Sequence, residues 1–182
     1  MALNWLYLNE SNTKSKKQLG QKCIFISHQK SDTEACREIA DYLIEAGVNV
    51  YFDEYDTDLR IQREAKNPRG VTDSIRKGIN LSTHMLCVIS PITLTSSWVP
   101  FEVGYGFDKT KLGVLTLKGI SNHNLPDYVK TAEFILRDIY DVNQLVSDVR
   151  NIKEEWLMES RAVINFSEPT HPLSNYMDSM TF

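Results

Sequence analysis

In the run SSWVPFEVGYGFDK, residues 96 to 109, Trp98 and Glu102 stand four apart. On a helix that spacing is about one turn, so an aromatic ring and a carboxylate share one face. Ser97 fits an N-cap. Pro100 falls at the third helical position, where its missing N–H has no intrahelical partner to lose, so the helix is expected to begin at Trp98. A carboxylate acting without a second acid suits one kind of chemistry, the electrostatic stabilisation of positive charge in a transition state. The spacing by itself is more often a core Trp beside a solvated Glu, so the surrounding elements decide what the pair is for.

Those elements follow from hydrophobic periodicity. CIFIS, Cys23 to Ser27, is a short apolar run suited to a strand buried on both faces. In SDTEACREIADYLIEAG, Ser31 and Glu34 have capping-box spacing, Ala35, Ile39, Tyr42, Leu43 and Ala46 recur at helical intervals, and Gly47 supplies a stop. VNVYFD is a second strand ending at Asp53. The polar stretch from Glu54 to Gly70 is too long for an ordinary strand-to-helix connection and is expected to be a functional loop. Val71, Ile75 and Ile79 stripe a second helix, and HMLCVIS makes a third strand. After the Trp98 helix come LGVLTLK and EFILRD as strands four and five, then one last amphipathic helix marked by Leu145, Val146, Val149, Ile152, Trp156 and Leu157.

Strands alternating with helices predict an α/β fold: a doubly wound, five-stranded parallel sheet in the flavodoxin-like order 2-1-3-4-5. Residues 1–20 read as an N-terminal extension ending in a linker, SNTKSKKQLG, and residues 21–160 as the domain. Residues 161–182 read as a tail that either straps the domain or is partly disordered. Ligands of such sheets bind beyond the carboxyl ends of the strands, near the switch point between strands one and three. That rule nominates Ser27 to Lys30, Asp53 with the loop after it, and Ser90 to Glu102.

Familiar uses of the architecture fail on their residues. SHQKSD after strand one has no glycine for a flavin phosphate loop, and Ser27, His28 and Ser90 stand where a phosphoacceptor receiver needs acids. Gly104 and Gly106 lie inside a helical segment rather than in a strand-to-helix turn, and no GxxxxGK[ST] is present. A glycosidase acting on an ordinary sugar protonates its leaving oxygen and uses two carboxyl groups. The nicotinamide of NAD+ is already cationic and departs neutral, so one Glu suffices to hold the ribose hydroxyls and stabilise an oxocarbenium-like charge. Trp98 could stack on the pyridinium by cation–π attraction, worth about 0.5–2 kcal/mol.

CIFISHQKSD, VNVYFD, VISPITLTSSWVPFE and the five β/α units together resemble a TIR (Toll/interleukin-1 receptor) domain over about residues 21–160. The resemblance implies that Glu102 is catalytic with Trp98 beside it, as in TIR domains that cleave NAD+, and that NAD+ is a substrate with no further cofactor. It assigns substrate contacts to His28, Gln29 and Lys30 and to Asp53. Relatives often carry an aromatic residue and arginines after the Ser of strand one, where this chain has His28, Gln29 and Lys30. Each nominated residue also has a plainer use: His28 as a donor at a strand end, Asp53 as a turn cap, Ser90 as a partner for strand-end backbone, and Lys30 as a solvated cation.

The 54–70 loop resembles the variable loop that TIR domains use to gate the site and to associate with one another. With no sensor or effector domain recognisable, the chain resembles the separate TIR component of Thoeris-type bacterial anti-phage systems. Such a component makes a cyclic ADP-ribose-type signal for a separate effector protein. Two rivals are a non-enzymatic TIR–TIR scaffold and a nucleoside deoxyribosyltransferase-like enzyme. Composition sets outer limits. The net charge of −4 offers no broad basic face for nucleic acid or anionic lipid. Three widely separated cysteines, Cys23, Cys36 and Cys87, argue against a disulfide framework or a zinc site and for a reducing cytosol. No apolar run approaches the ~20 residues of a membrane span and no basic leader opens the chain, so a cytoplasmic location is expected.

Overall fold

The computed structural model describes residues 1–54, 57–121 and 125–181; Tyr55 and Asp56 of the 54–70 stretch and Phe182 of the tail lie outside the described residues. Strands β1 (Cys23–Ser27), β2 (Asn49–Tyr51), β3 (His84–Ile89), β4 (Lys111–Thr116) and β5 (Phe134–Leu136) form one sheet in the order β2-β1-β3-β4-β5. Every pairing is parallel. The order and direction are those that the sequence predicts.

Period-two alternation divides the strands between two apolar cores. Ile24, Ile26, Leu86, Val88 and Leu115 face one core, shared with α2 (Thr33–Glu45) and α6 (Ile139–Arg150). Cys23, Phe25, Met85, Cys87, Ile89, Leu112 and Val114 face the other, shared with α4 (Pro68–Leu81) and α5 (Trp98–Gly106). Because both faces are covered, the strands are apolar runs rather than alternating ones. Each fully buried large side chain stabilises the fold by about 1.5–3 kcal/mol relative to exposure.

Several expectations are corrected. SNTKSKKQLG is no linker: residues Glu10–Gln18 form helix α1, capped by the Asn9 side chain, which accepts from Asn12 N at 2.8 Å. Its polarity hides it, since Thr13 is its one buried residue and Lys17 Nζ docks it by donating to Asn80 O and Ser82 O at 2.8 and 2.7 Å. Ser31 does not cap α2; a 3-10 turn over Lys30–Asp32 precedes it and Asp32 takes the N-cap position. The 54–70 stretch is not all loop, because Thr57–Glu64 forms helix α3 with Leu59 in the second core. The last helix is two: Asn151 adopts φ +53° and ends α6, and α7 (Glu154–Glu159) follows with Trp156 68% exposed rather than packed.

The termini belong to the same folded unit. Trp5 is buried in the second core, while Leu173 and Met177 of the tail are buried in the first. The tail is a strap, with Lys118 N donating to Tyr176 O at 2.9 Å and Thr181 N to Asp138 Oδ2 at 2.6 Å. At the other end, Asn4 Nδ2 donates to Phe52 O at 2.9 Å and its Oδ1 accepts from Phe52 N at 3.2 Å. Asn4→Ala strands both backbone groups of Phe52 in a buried setting and is expected to cost about 2 kcal/mol. Urea denaturation reads this directly, and an unchanged midpoint would show that the N-terminal segment does not hold the end of β2.

Candidate active site

Glu102 sits in the second turn of α5, flanked by Val99 and Val103, which anchor the helix to the sheet. α5 begins at Trp98 as expected, but the side chain that serves its N-terminus is Ser96, whose Oγ accepts from Val99 N at 3.2 Å; Ser97 makes no capping bond. Close approach at the far end is permitted by Gly106, where an added Cβ would lie 2.5 Å from Met85 Sδ. Met85 is fully buried and has little room to move. Gly106→Ala is therefore expected to lower stability by about 1–3 kcal/mol. A wild-type melting temperature for that variant would mean that α5 is not held by this contact.

The helix turns Glu102 inward, leaving it 5% exposed. Ser27, the last residue of β1, pairs in register with Cys87 of β3 and donates a short hydrogen bond from Oγ to Glu102 Oε2. Burial is the main cause that raises the Glu102 pKa from the ordinary 4.5 to about 8; the Ser27 bond lowers it, the charge of Asp53 raises it, and Arg63 lowers it. With that pKa the carboxyl is mostly protonated near neutral pH, and a cation against it would favour its charged form.

Glu102 lines a cavity of about 350 Å³ with Phe25, Ile26, His28, Lys30, Thr33, Asp53, Glu54 and Arg63. That volume is near the lower end for small-molecule sites. The cavity lies beyond the carboxyl ends of β1 and β2, beside the switch point. His28 Nδ1 stands 3.9 Å from Asp53 Oδ1, and its ring packs on Phe52 with centroids 5.1 Å apart. Glu54 is fixed by Arg37 of α2, whose Nε donates to Glu54 Oε2 at 2.8 Å and whose Nη2 makes a second, shorter bond to Oε1.

Of the residues nominated from sequence, Glu102, His28, Lys30 and Asp53 meet in this cavity. Ser27 is buried behind it, bonded to Glu102. The other three do not line it. Gln29 is half-buried, and its carbonyl accepts from Asp32 N at 2.8 Å in the 3-10 turn. Ser90 donates to Asp32 Oδ2 at 2.7 Å and accepts from the N–H groups of Ile92 and Thr93, tying the loop after β3 to the loop after β1. Trp98 joins the second core and meets Phe101 edge-on, with centroids 6.1 Å apart. The aromatic wall of the cavity is instead Phe25.

Sequence reasoning did not single out Asp32, Arg63 or Glu54 as side chains. The last two fall in the stretch flagged for its length, which was the available signal. A larger open groove of about 720 Å³ runs between α1 and α4. Its side chains are largely engaged with one another, Lys14 and Lys77 with Glu10 and Arg76 with Asp73, and it lies away from the switch point. The smaller cavity is the candidate site because it holds the buried carboxyl.

Comparison with known proteins bears on the family. No curated protein matches the sequence. Among solved structures, a diflavin flavoprotein A3 from Nostoc sp. is 13% identical, with 78% of this chain and 95% of that chain covered and a TM-score of 0.39, a likeness too loose to argue from. The family model described as the TIR domain matches residues 24–143, well over half of the chain, from β1 into α6. On that match, joined to the parallel 2-1-3-4-5 sheet, the chain belongs to the TIR domain family.

Proposed function

We propose that this TIR domain cleaves the nicotinamide–ribose bond of NAD+, with Glu102 as the catalytic carboxylate. The observation that carries this reading is the Glu102 carboxyl, only 5% exposed, lining a cavity at the carboxyl ends of the strands. Bound NAD+ brings a pyridinium against Glu102 and draws the carboxyl into its charged form. As the C–N bond breaks, its electron pair leaves with nicotinamide, which departs neutral without a proton donor. The positive charge passes to the ribose, where the Glu102 carboxylate stabilises it. Ser27 fixes one carboxylate oxygen and leaves the other for the ribose hydroxyls. Phe25 and Ile26 form the apolar wall, and His28, Lys30 and Asp53 make polar contacts with the substrate. Gln29, Ser90 and Trp98 act through position, holding the β1 loop, the β3 loop and α5.

The electrophilic ribose carbon is then captured. Water gives ADP-ribose and a proton, whereas a nitrogen or hydroxyl of the same molecule gives a cyclic product, favoured when the pocket folds the substrate. A small cavity takes the nicotinamide half of NAD+, and self-association of TIR surfaces would complete the rest. A cyclic ADP-ribose-type product suits a cytoplasmic signal read by a separate effector protein, the arrangement of Thoeris anti-phage defence. The test is mass spectrometry of products from NAD+ and from deoxynucleosides. Nicotinamide release from NAD+ supports the proposal. Base release from deoxynucleosides alone points to a deoxyribosyltransferase-like enzyme, and inertness toward both, even when concentrated, points to a scaffold.

A further inference from the structure

The Glu102 cavity contains more charge than cleavage of a pyridinium requires. Its lining brings three acidic side chains, Asp53, Glu54 and Glu102, together with His28, Lys30 and Arg63. Glu54 is taken by the forked contact from Arg37, and His28 stands beside Asp53. Lys30 and Arg63 differ from these: among the described residues neither forms an ion pair, and both are exposed while lining the cavity. They come from separate elements, Lys30 from the 3-10 turn after β1 and Arg63 from the last turn of α3. Arg63 is near enough to Glu102 to favour its charged form.

Resting on the NAD+ reading above, we propose that Arg63, with Lys30, forms an anion subsite at the cavity mouth that takes the diphosphate of a dinucleotide. With the ribose carbon at Glu102, the phosphate on the same ribose is only a few bonds away and must leave through the mouth, because the inner walls are Phe25, Ile26 and the buried carboxyl. The mouth is where the two solvent-reaching cations stand. A guanidinium presents a planar fork that matches two phosphate oxygens, and an ammonium adds a point charge. The β1 loop of this chain has no arginine, having His28, Gln29 and Lys30 instead. α3, folded from the stretch after β2, supplies one to the same cavity. The subsite would select phosphorylated substrates over the bare nucleoside.

Two measurements test this. In kinetics, Arg63→Ala is expected to raise KM for NAD+ about tenfold with little change in kcat, the effect of losing one charge-assisted contact. Measured well above pH 8, where Glu102 is charged with or without Arg63, the same variant should lower kcat/KM for nicotinamide riboside, which lacks phosphate, much less than for NAD+, and Arg63→Lys should recover part of the loss for NAD+. In calorimetry, Arg63→Ala should weaken ADP-ribose binding by a similar factor. Equal losses for NAD+ and nicotinamide riboside would overturn the subsite, as would ADP-ribose affinity that is undetectable in the wild type or indifferent to Arg63. Arg63-dependent ADP-ribose binding by a wild-type protein that releases no nicotinamide would support the subsite and refute the cleavage reading.

Discussion

Glu102→Gln is expected to lower the rate of nicotinamide release from NAD+ by about a thousandfold, with a smaller rise in KM from the lost charge and the fold intact. Gln has nearly the shape of Glu and keeps an acceptor for the Ser27 hydroxyl, so packing around α5 survives. What it loses is the negative charge, which at so buried a position interacts with a forming ribosyl cation far more strongly than it would in solvent. A carboxylate that acted by positioning alone would be replaced by the amide at small cost. Single-turnover assays with circular dichroism on the same preparations separate the two cases. A variant with half the wild-type rate would remove Glu102 from the chemistry.

Acidity is the second large effect. With the free-site carboxyl at about 8, kcat/KM for NAD+ should rise about tenfold per pH unit across the neutral range and level off above pH 8, because the charged form is the competent one. The bound pyridinium favours that charged form, so the kcat profile should lie at lower pH, and binding of NAD+ near pH 7 should release a proton. Stability runs the other way. Because the folded-state pKa lies above the ordinary 4.5, the folded protein holds a proton that the unfolded chain has lost. The Glu102 contribution is fully present below about pH 4.5 and is lost as pH rises through 8, with a slope of up to about 1.4 kcal/mol per pH unit. Glu102→Gln should abolish this slope and be more stable than the wild type at pH 8. Parallel urea titrations of the two proteins at pH 6 and pH 8 would show it, and equal pH dependence in both would place the raised pKa elsewhere.

The sheet was legible because its strands carry their burial in their composition. CIFIS and HMLCVI are apolar throughout, as strands covered on both faces must be, and Val71, Ile75 and Ile79 repeat at a helical interval. Glu102 was legible from one turn of helix and the switch-point rule. α1 was not, since a helix docked through Lys17 and one buried Thr has no apolar stripe to read. Trp156 continued a helical pattern that Asn151 breaks by entering the left-handed region, which leaves the indole in solvent. Trp98 and Ser90 sit at the right places along the chain, yet side-chain packing directs them to Phe101 and Asp32 rather than to the cavity. Arg63 could not be found from local pattern at all, because its place in the cavity lining depends on how α3, anchored by Leu59, packs in three dimensions.

The most direct measurement is nicotinamide released from NAD+ by the purified wild-type chain at pH 8, followed by chromatography from dilute to highly concentrated protein. Release in step with ADP-ribose or a cyclic ADP-ribose, steepening as the protein associates, is the expected result. NAD+ recovered intact at every concentration, from protein shown to be folded, would contradict the proposal that Glu102 is there to break that bond.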